Sequence, residues 1–355
     1  QHPWMENDCL FADILLPINT KFEEEDIGTD SDNGMWSVVY YEQQAIESLG
    51  ESKSDLEAVE EVAKKLEQFG GIYEDLHARM MDGGKTVGDF IKAGFENTGA
   101  SEKLSFEEFK EKQYYPFPTK EKWEDLPVGL SQFYEDPENH PLTTPSGKLE
   151  YYSTALADIF PDDEIRGPIP RWIEEGDGHE ERIDSKRAIE YPFLIVSNHP
   201  RWRVHANCDD ITWLREIQTC KVVGPDGYAY EPVWVNPVDA RELGVGAGDV
   251  VKVVNDRGWT MGGVYVTERI RPGVVYQDHG SRIDPIVPGE SDRAGANNLI
   301  APKECTSANC AGEVTSGFLV GIEKADVFAL AREYPEAFGR TFQADEGPDI
   351  DNWLV

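Results

Sequence analysis

Hydrophobic and polar positions alternate in short runs along the first hundred residues and become densely strand-like after Tyr191. Leu10 to Pro17 reads as a strand stopped by its proline, and Trp36 to Ala45, centred on VVYY, as a second strand. Within Ser54 to Phe69, residues Leu56, Val59, Val62, Ala63 and Leu66 recur at helical spacing, and Gly70 supplies the stop. Ser105 followed by Glu108 is a capping-box pair that opens a helix running to Lys112. These mixed elements predict part of an α/β domain over residues 1–115.

From Pro116 to Arg187 the chain is rich in Pro, Asp and Glu and poor in apolar runs, which predicts an extended crossing segment over 116–187. Inside it, TPSGKLEYY (Thr144 to Tyr152) reads as a turn and then a strand, with Leu149 and Tyr151 on one face. After Tyr191 the segments YPFLIV, YEPVWVN, DVVKVVND, GGVYVTERI and GVVYQDHG are strand candidates, and FLVGIEK a closing strand. A short helix is expected around Arg241 to Gly244, and Gly246 to Asp249 reads as a hairpin turn between strands. Many short strands punctuated by Gly, Pro and Asp predict a mostly β domain over 188–355, closed as a small barrel.

Composition narrows the classes. In 355 residues, 68 acidic side chains stand against 33 basic ones, a net charge of −35. Such a chain repels nucleic acid and anionic membrane, so neither is expected as a partner. No apolar run reaches the ~20 residues of a membrane span. The acidic runs Glu23 to Asp26 and Glu175 to Glu181 read as solvated surface. The N-terminus has neither an initiator Met nor a signal-peptide pattern, so a processed chain or the later part of a larger polypeptide is expected. Cys9, Cys208, Cys220, Cys305 and Cys310 have no metal-ligand spacing, which suggests reduced thiols and a protein that is cytoplasmic or folded in the cytoplasm, with export as part of a larger complex left open. No GxGxxG sequence occurs, and the one GKT, Gly84 to Thr86, has Arg79 where a P-loop needs its first glycine, which removes the usual nicotinamide and P-loop readings.

The densest chemistry is SNHPRWRVH, Ser197 to His205, directly after an apolar strand. Polar and cationic groups at a strand end suit an anionic, hydrogen-bonding ligand. Arg201 and Arg203 can grip phosphate bidentately or pair with surface acids. His199 and His205 suit ligand hydrogen bonding or capping, while no Cys or carboxylate spacing supports a metal bound through that pair. A second cluster holds Gln277, Asp278, His279, Ser281, Arg282 and Asp284, followed by Asn297 and Asn298. The asparagines can meet a heterocycle edge or terminate a strand. His279 and Asp284 can be read as a catalytic pair, although no activated nucleophile accompanies them.

These residues carry a resemblance. FADILLP (11–17), GESKSDLEAVEEVAKKL (50–66), TPSGKLEYY, SNHPRWRVHA, VWVNPVDARELGVGAGDVVKVVNDRG (234–258), ANNLI and FLVGIEK resemble, in order, the C-terminal part of the large catalytic subunit of molybdenum/tungsten bis(pyranopterin guanine dinucleotide) enzymes, the dimethyl-sulfoxide-reductase family. HPRWRVHA, DGYAYEPVWVN and VNDRG are most similar to its pyrogallol–phloroglucinol transhydroxylase and catechol-dehydroxylase-like members.

The resemblance implies a barrel of the double-psi type that closes over bis(molybdopterin guanine dinucleotide) carrying Mo or W. Ser197, Asn198, His199, Arg201, Trp202, Arg203 and His205 would line the pterin or nucleotide, with Asn297 or Asn298 adding an amide and Gln277 and His279 close by. It assigns Asp13 and Pro17 structural duty. The family's metal ligand and any iron–sulfur cysteines lie in N-terminal sequence outside this chain, so an N-terminal part or companion chain is expected, and an iron–sulfur electron-transfer subunit is compatible. The implied activity is hydroxyl transfer or reductive dehydroxylation of phenolic substrates. The alternatives are an acetylene-hydratase-like lyase or oxyanion reductase of the same metal family, and a noncatalytic barrel that stabilises a partner.

Overall fold

The structure, a computed structural model, describes the chain apart from residues 4–8, 10–11, 31–36, 119–128, 173–178, 208, 210–211, 218, 304, 308–309, 314–315, 341, 344–346 and 349–355. It divides into two compact units, Gln1–Ser131 and Gln132–Val355.

In the first unit, β1 (Asp26–Thr29), β2 (Val38–Glu42) and β3 (Tyr114–Pro116) form an antiparallel sheet with β2 at its centre. The helices are α1 (Asp55–Leu66), α2 (Leu76–Met80), α3 (Val87–Asn97) and α4 (Phe106–Lys112). Ser54 and Glu57 close a reciprocal capping box on α1, and Ser105 with Glu108 does the same for α4, as their spacing predicts. Gly70 follows α1 and its 3-10 extension with φ 64°, which a β-carbon would disfavour. Helix α3 is absent from the sequence-based expectation, although Thr86 and Asp89 form a third capping box. Its Ile91 and Phe95 join Val39, Tyr41 and Phe109 in the core, with the Phe95 and Phe109 rings stacked at 4.7 Å.

Two expectations for this unit fail. Residues 12–16 form no strand: Ile14, Leu15 and Leu16 are exposed, and only Pro17 and Ile18 make single bridges, to His2 and Lys53. Residues 10 and 11 lie outside the described residues. The acidic Glu23–Asp26 run is not a solvated loop either. Glu23 is buried and its carboxylate accepts hydrogen bonds from Thr20 N and Oγ, both 2.7 Å, from Leu49 N at 2.6 Å and from Ser52 Oγ at 3.3 Å, while Asp26 begins β1. The acid satisfies the backbone donors of Thr20 and Leu49 inside the fold.

The second unit opens with α5 (Ser131–Glu135), which starts at the boundary, and α6 (Thr154–Ile159). The turn expected in TPSGKLEYY forms, with Gly147 N donating to Thr144 O. Its strand does not: 148–152 has no pairing partner, and Leu149, Tyr151 and Tyr152 are exposed.

Beyond this segment come β4 (Phe193–Val196), α7 (Thr212–Arg215), β5 (Val222–Val223), β6 (Ala229–Tyr230), β7 (Pro232–Val235) and α8 (Pro237–Leu243), then β8 (Val250–Asn255), β9 (Gly258–Val266) and β10 (Val274–Tyr276). They are followed by β11 (Pro285–Val287), β12 (Ser291–Asp292), β13 (Cys305–Ser307), β14 (Cys310–Glu313), β15 (Phe318–Lys324), α9 (Val327–Glu333) and α10 (Pro335–Gly339). The predicted short helix is thus α8, seven residues long, capped by Asn236. Gly246–Asp249 links α8 to β8 rather than two strands.

The sheet runs β11-β12-β9-β7-β10-β4-β15-β8, and β8 pairs back onto β9. That last pairing closes β9, β7, β10, β4, β15 and β8 into a six-stranded barrel with both parallel and antiparallel neighbours. The α/β region followed by a closed mixed barrel bears out the coarse fold expectation. Alternating burial along β4 and β8 matches one inward and one outward face. Phe193, Ile195, Val233, Val235, Val251, Val253, Val264, Val275, Phe318 and Val320 supply the core. Glu181 corrects the second solvated-run expectation where it is described. Its carboxylate accepts from Leu319 N at 2.6 Å and from Arg257 Nη1 at 2.9 Å, anchoring the segment before the barrel to β15. Among the described residues, no helix is long and apolar enough to cross a membrane.

Candidate functional site

Strands β4 and β10 lie parallel, with Val196 opposite Tyr276. Both chains therefore leave the barrel at the same end, and His199 and His279 each follow three residues after a paired position. Gln277 N donates to Val196 O at 3.1 Å and His279 N to Asn198 O at 3.3 Å, continuing the pairing into the loops. A third segment reaches the junction: Asn297 Nδ2 donates to Ser197 Oγ at 2.9 Å and is shared between the carbonyls of Gln277 at 3.1 Å and Asp278 at 3.2 Å. The turn that delivers Asn297 is held by Asp292, whose carboxylate accepts from Gly295 N at 2.8 Å and Ala296 N at 3.0 Å. Burial pushes the Asp292 carboxyl up to about 6.

The segments named from sequence thus converge, with different duties. Asn198, His199, Arg201, His205 and Asn298 are exposed, and Trp202 and His279 are half-buried. Ser197, Gln277 and Asn297 are buried, and Gln277 reaches Met261 O from inside the barrel at 3.3 Å. Arg201 lies over the Trp202 ring at 5.6 Å. Arg203 points inward. Its guanidinium pairs with Asp209 at 3.2 Å and Glu231 at 2.9 Å, and Lys221 completes the network at 2.9 and 2.7 Å from the same acids. Arg203 also contacts the site itself, donating to His279 O at 3.0 Å.

Sequence reasoning missed Asp209, Lys221, Glu231 and Asp292, although a lone Glu beside the apolar strand PVWV was a readable signal. The His279–Asp284 pair does not form: Asp284 accepts from Tyr228 Oη at 3.0 Å and pairs with Arg340 at 3.0 Å.

The three imidazoles are mutual neighbours. His199 and His279 have ring centroids 4.1 Å apart, His199 and His205 4.9 Å, and His205 and His279 are stacked at 5.1 Å. Burial, then the electrostatic influence of the neighbouring His199, His205 and Arg203, hold the His279 imidazole below its usual range. His205 has φ 52°, an uncommon left-handed backbone for a side chain of its size. Gly280, at φ 80°, lies so close that a β-carbon there would come within 2.2 Å of His205 O.

Several buried polar atoms at this junction have no partner in the chain: Trp202 Nε1, His279 Nε2, Gln277 Oε1 and Asn297 Oδ1. Each such group costs about 1–3 kcal/mol unless a ligand or water meets it. Donors, acceptors and the exposed Arg201 cation suit an anion that carries heterocyclic edges.

A family model, the molydopterin dinucleotide binding domain, matches residues 193–316, the span that carries the three converging segments. Trimethylamine-N-oxide reductase of Pasteurella multocida (strain Pm70) is 32% identical over 322 residues, 89% of this chain and 36% of that protein. The pyrogallol hydroxytransferase large subunit of Pelobacter acidigallici is 30% identical over 354 residues, 92% of this chain and 39% of that protein. The chain belongs to the dimethyl-sulfoxide-reductase family of molybdenum and tungsten enzymes. Dimethyl sulfoxide reductase DmsA of Escherichia coli (strain K12), at 29% identity, shares 90% of this chain and 37% of its own length. Acetylene hydratase from Pelobacter acetylenicus has the same fold over 87% of this chain and 38% of its own, with a TM-score of 0.53 at 18% identity. This member of the dimethyl-sulfoxide-reductase family spans little more than a third of the length of the curated relatives it matches.

Proposed function

We propose that the barrel end binds the guanine dinucleotide of a bis(molybdopterin guanine dinucleotide) group carrying Mo or W, as part of an oxidoreductase. The convergence of three segments around unpartnered polar atoms carries this reading. Arg201 is placed to take phosphate oxygens bidentately. Asn198, His199, His205 and Asn298 offer exposed polar edges, while Trp202 and His279 offer one free ring nitrogen each. Ser197, Arg203, Gln277 and Asn297 hold the loops in place from within. When bound, the group supplies a redox metal with dithiolene sulfurs, and this chain's residues bind, orient and screen its nucleotide end.

The parallel pairs inside the barrel support a double-psi path for the chain. On this reading 188–355 is the dinucleotide-binding domain, 116–187 a crossing segment, and 1–115 part of a larger α/β domain. The rest of the catalytic subunit, or a companion chain, supplies the metal ligand, and an iron–sulfur subunit suits electron delivery.

For the substrate, the same-family alternative is better supported than phenolic chemistry. Relatives named for reducing trimethylamine N-oxide and dimethyl sulfoxide stand beside the hydroxytransferase. Reductive oxygen removal is therefore the first reading. Phenolic hydroxyl transfer, carried by the pyrogallol hydroxytransferase likeness, is the second.

The test is to purify the native protein untrimmed and measure molybdenum, tungsten and acid-released guanine nucleotide together. Metal and nucleotide should copurify, and Arg201→Ala should lower nucleotide retention at least tenfold. A folded native protein with neither would leave an isolated fragment or a noncatalytic barrel. A panel of N-oxide, S-oxide, pyrogallol and acetylene then separates the substrate readings.

A further inference from the structure

Three of the chain's seven histidines meet at one point. His199 and His205 come from the loop after β4 and His279 from the loop after β10. One ring nitrogen from each lies within 4.8 Å of the others, the only such cluster of metal-ligating side chains among the described residues. Tetrahedral zinc with bonds of about 2.0–2.1 Å would bring those nitrogens to about 3.4 Å from one another. His199 and His205 are exposed, so rotation of their side chains can supply the remaining closure.

No carboxylate belongs to the cluster, so nothing in it favours three protonated rings packed together. Neutral imidazoles gain from sharing their lone pairs with a cation. The Nε2 of His279 is buried without a partner. Its backbone is pinned at both ends, by Asn198 O to its amide and by Arg203 Nη2 to its carbonyl. The Arg203 charge beside the cluster is offset by Asp209 and Glu231.

We propose that His199, His205 and His279 form a binding site for a divalent transition-metal ion of the zinc, cobalt or nickel class when the dinucleotide is absent, with water filling the remaining coordination positions. Hard cations such as Mg²⁺ are excluded by an all-nitrogen ligand set. The site is separate in kind from the molybdenum or tungsten centre and does not depend on the dinucleotide reading, although both draw on the same loops.

The test titrates the full chain, freed of bound cofactor, with Co²⁺ and follows the visible ligand-field bands. One Co²⁺ per chain should bind with the intense spectrum of tetrahedral geometry, and Zn²⁺ should displace it. His199→Ala changes an exposed side chain and should fold normally, as circular dichroism would verify, yet weaken binding at least tenfold. His279→Gln keeps a hydrogen-bonding side chain and should do the same. His77→Ala, at a histidine paired with Glu60 in the first unit, should leave binding unchanged. The proposal is overturned if no saturable Co²⁺ spectrum appears, or if the spectrum survives in folded His199→Ala and His279→Gln chains. Guanine nucleotide release is a separate readout, so failure here leaves the dinucleotide reading untouched.

Discussion

Arg203 illustrates how one side chain can look like a ligand in sequence and act as a strut in structure. Cationic residues in a strand-end loop invite a phosphate, and Arg201 keeps that option. Arg203 instead sits 4% exposed between two acids, with a carbonyl of the site as its remaining partner. Removing it as Arg203→Met leaves the two buried acids to share Lys221 as their close cation and should cost about 3–5 kcal/mol in urea unfolding. Adding Glu231→Gln should recover part of that loss. A neutral effect of the single change would mean the network is unimportant.

Glu23 makes the parallel case for the acidic runs. Hydrogen bonds from the Thr20 hydroxyl and backbone, then from the Leu49 amide, hold its carboxyl down to about 2. A lowered folded-state pKa means stability present above the ordinary carboxyl range and lost as pH falls toward 2. The stability gap between wild type and Glu23→Gln should therefore be full at pH 7 and shrink between about pH 4.5 and about pH 2. A gap independent of pH would contradict this account. Neither duty was legible in the sequence, because charge pattern reports only that a run is polar, not which backbone donors need it.

At the scale of elements, the reading of the sequence succeeds where local rules decide. The capping pairs Ser54/Glu57 and Ser105/Glu108, the strand at 193–196 and the closing strand FLVGIEK all form. It fails where pairing needs a distant partner: Leu149 and Tyr151 alternate like a strand, yet no strand lies beside them. The site was legible as three segments but not as one place, since the β4–β10 register that aligns His199 with His279 joins residues about 80 apart. That alignment also depends on Gly280. An alanine there meets the His205 carbonyl and adopts a disfavoured φ, so Gly280→Ala should cost at least about 2 kcal/mol and loosen the histidine cluster. Wild-type thermal stability in that variant would show the two loops to be more yielding than they look.

For the whole molecule, the excess of acid matters more than any single pair. With a net charge of −35, mutual repulsion opposes the compact state. Raising ionic strength from about 0.01 M to about 1 M shortens the screening length from about 30 Å to about 3 Å. Exposed ion pairs such as Arg182–Asp184 weaken under the same screening, but 68 acids against 33 bases leave repulsion dominant. The melting temperature should rise with sodium chloride. A fall would mean that paired charges outweigh the excess.

The position of β15 has a consequence for how this barrel comes into being. The strand lies between β4 and β8, partners made more than a hundred and about seventy residues earlier. During synthesis, a chain released only as far as residue 317 carries two unsatisfied strand edges, with the hydrophobic faces of β4 and β8 open to whatever else can add a strand. The ring cannot be sealed by its own neighbours in order of appearance. Its last stave arrives late and must slot between two that have been waiting, so ribosomal pausing shortly before that point should lengthen the interval in which a chaperone, rather than the barrel, occupies the gap.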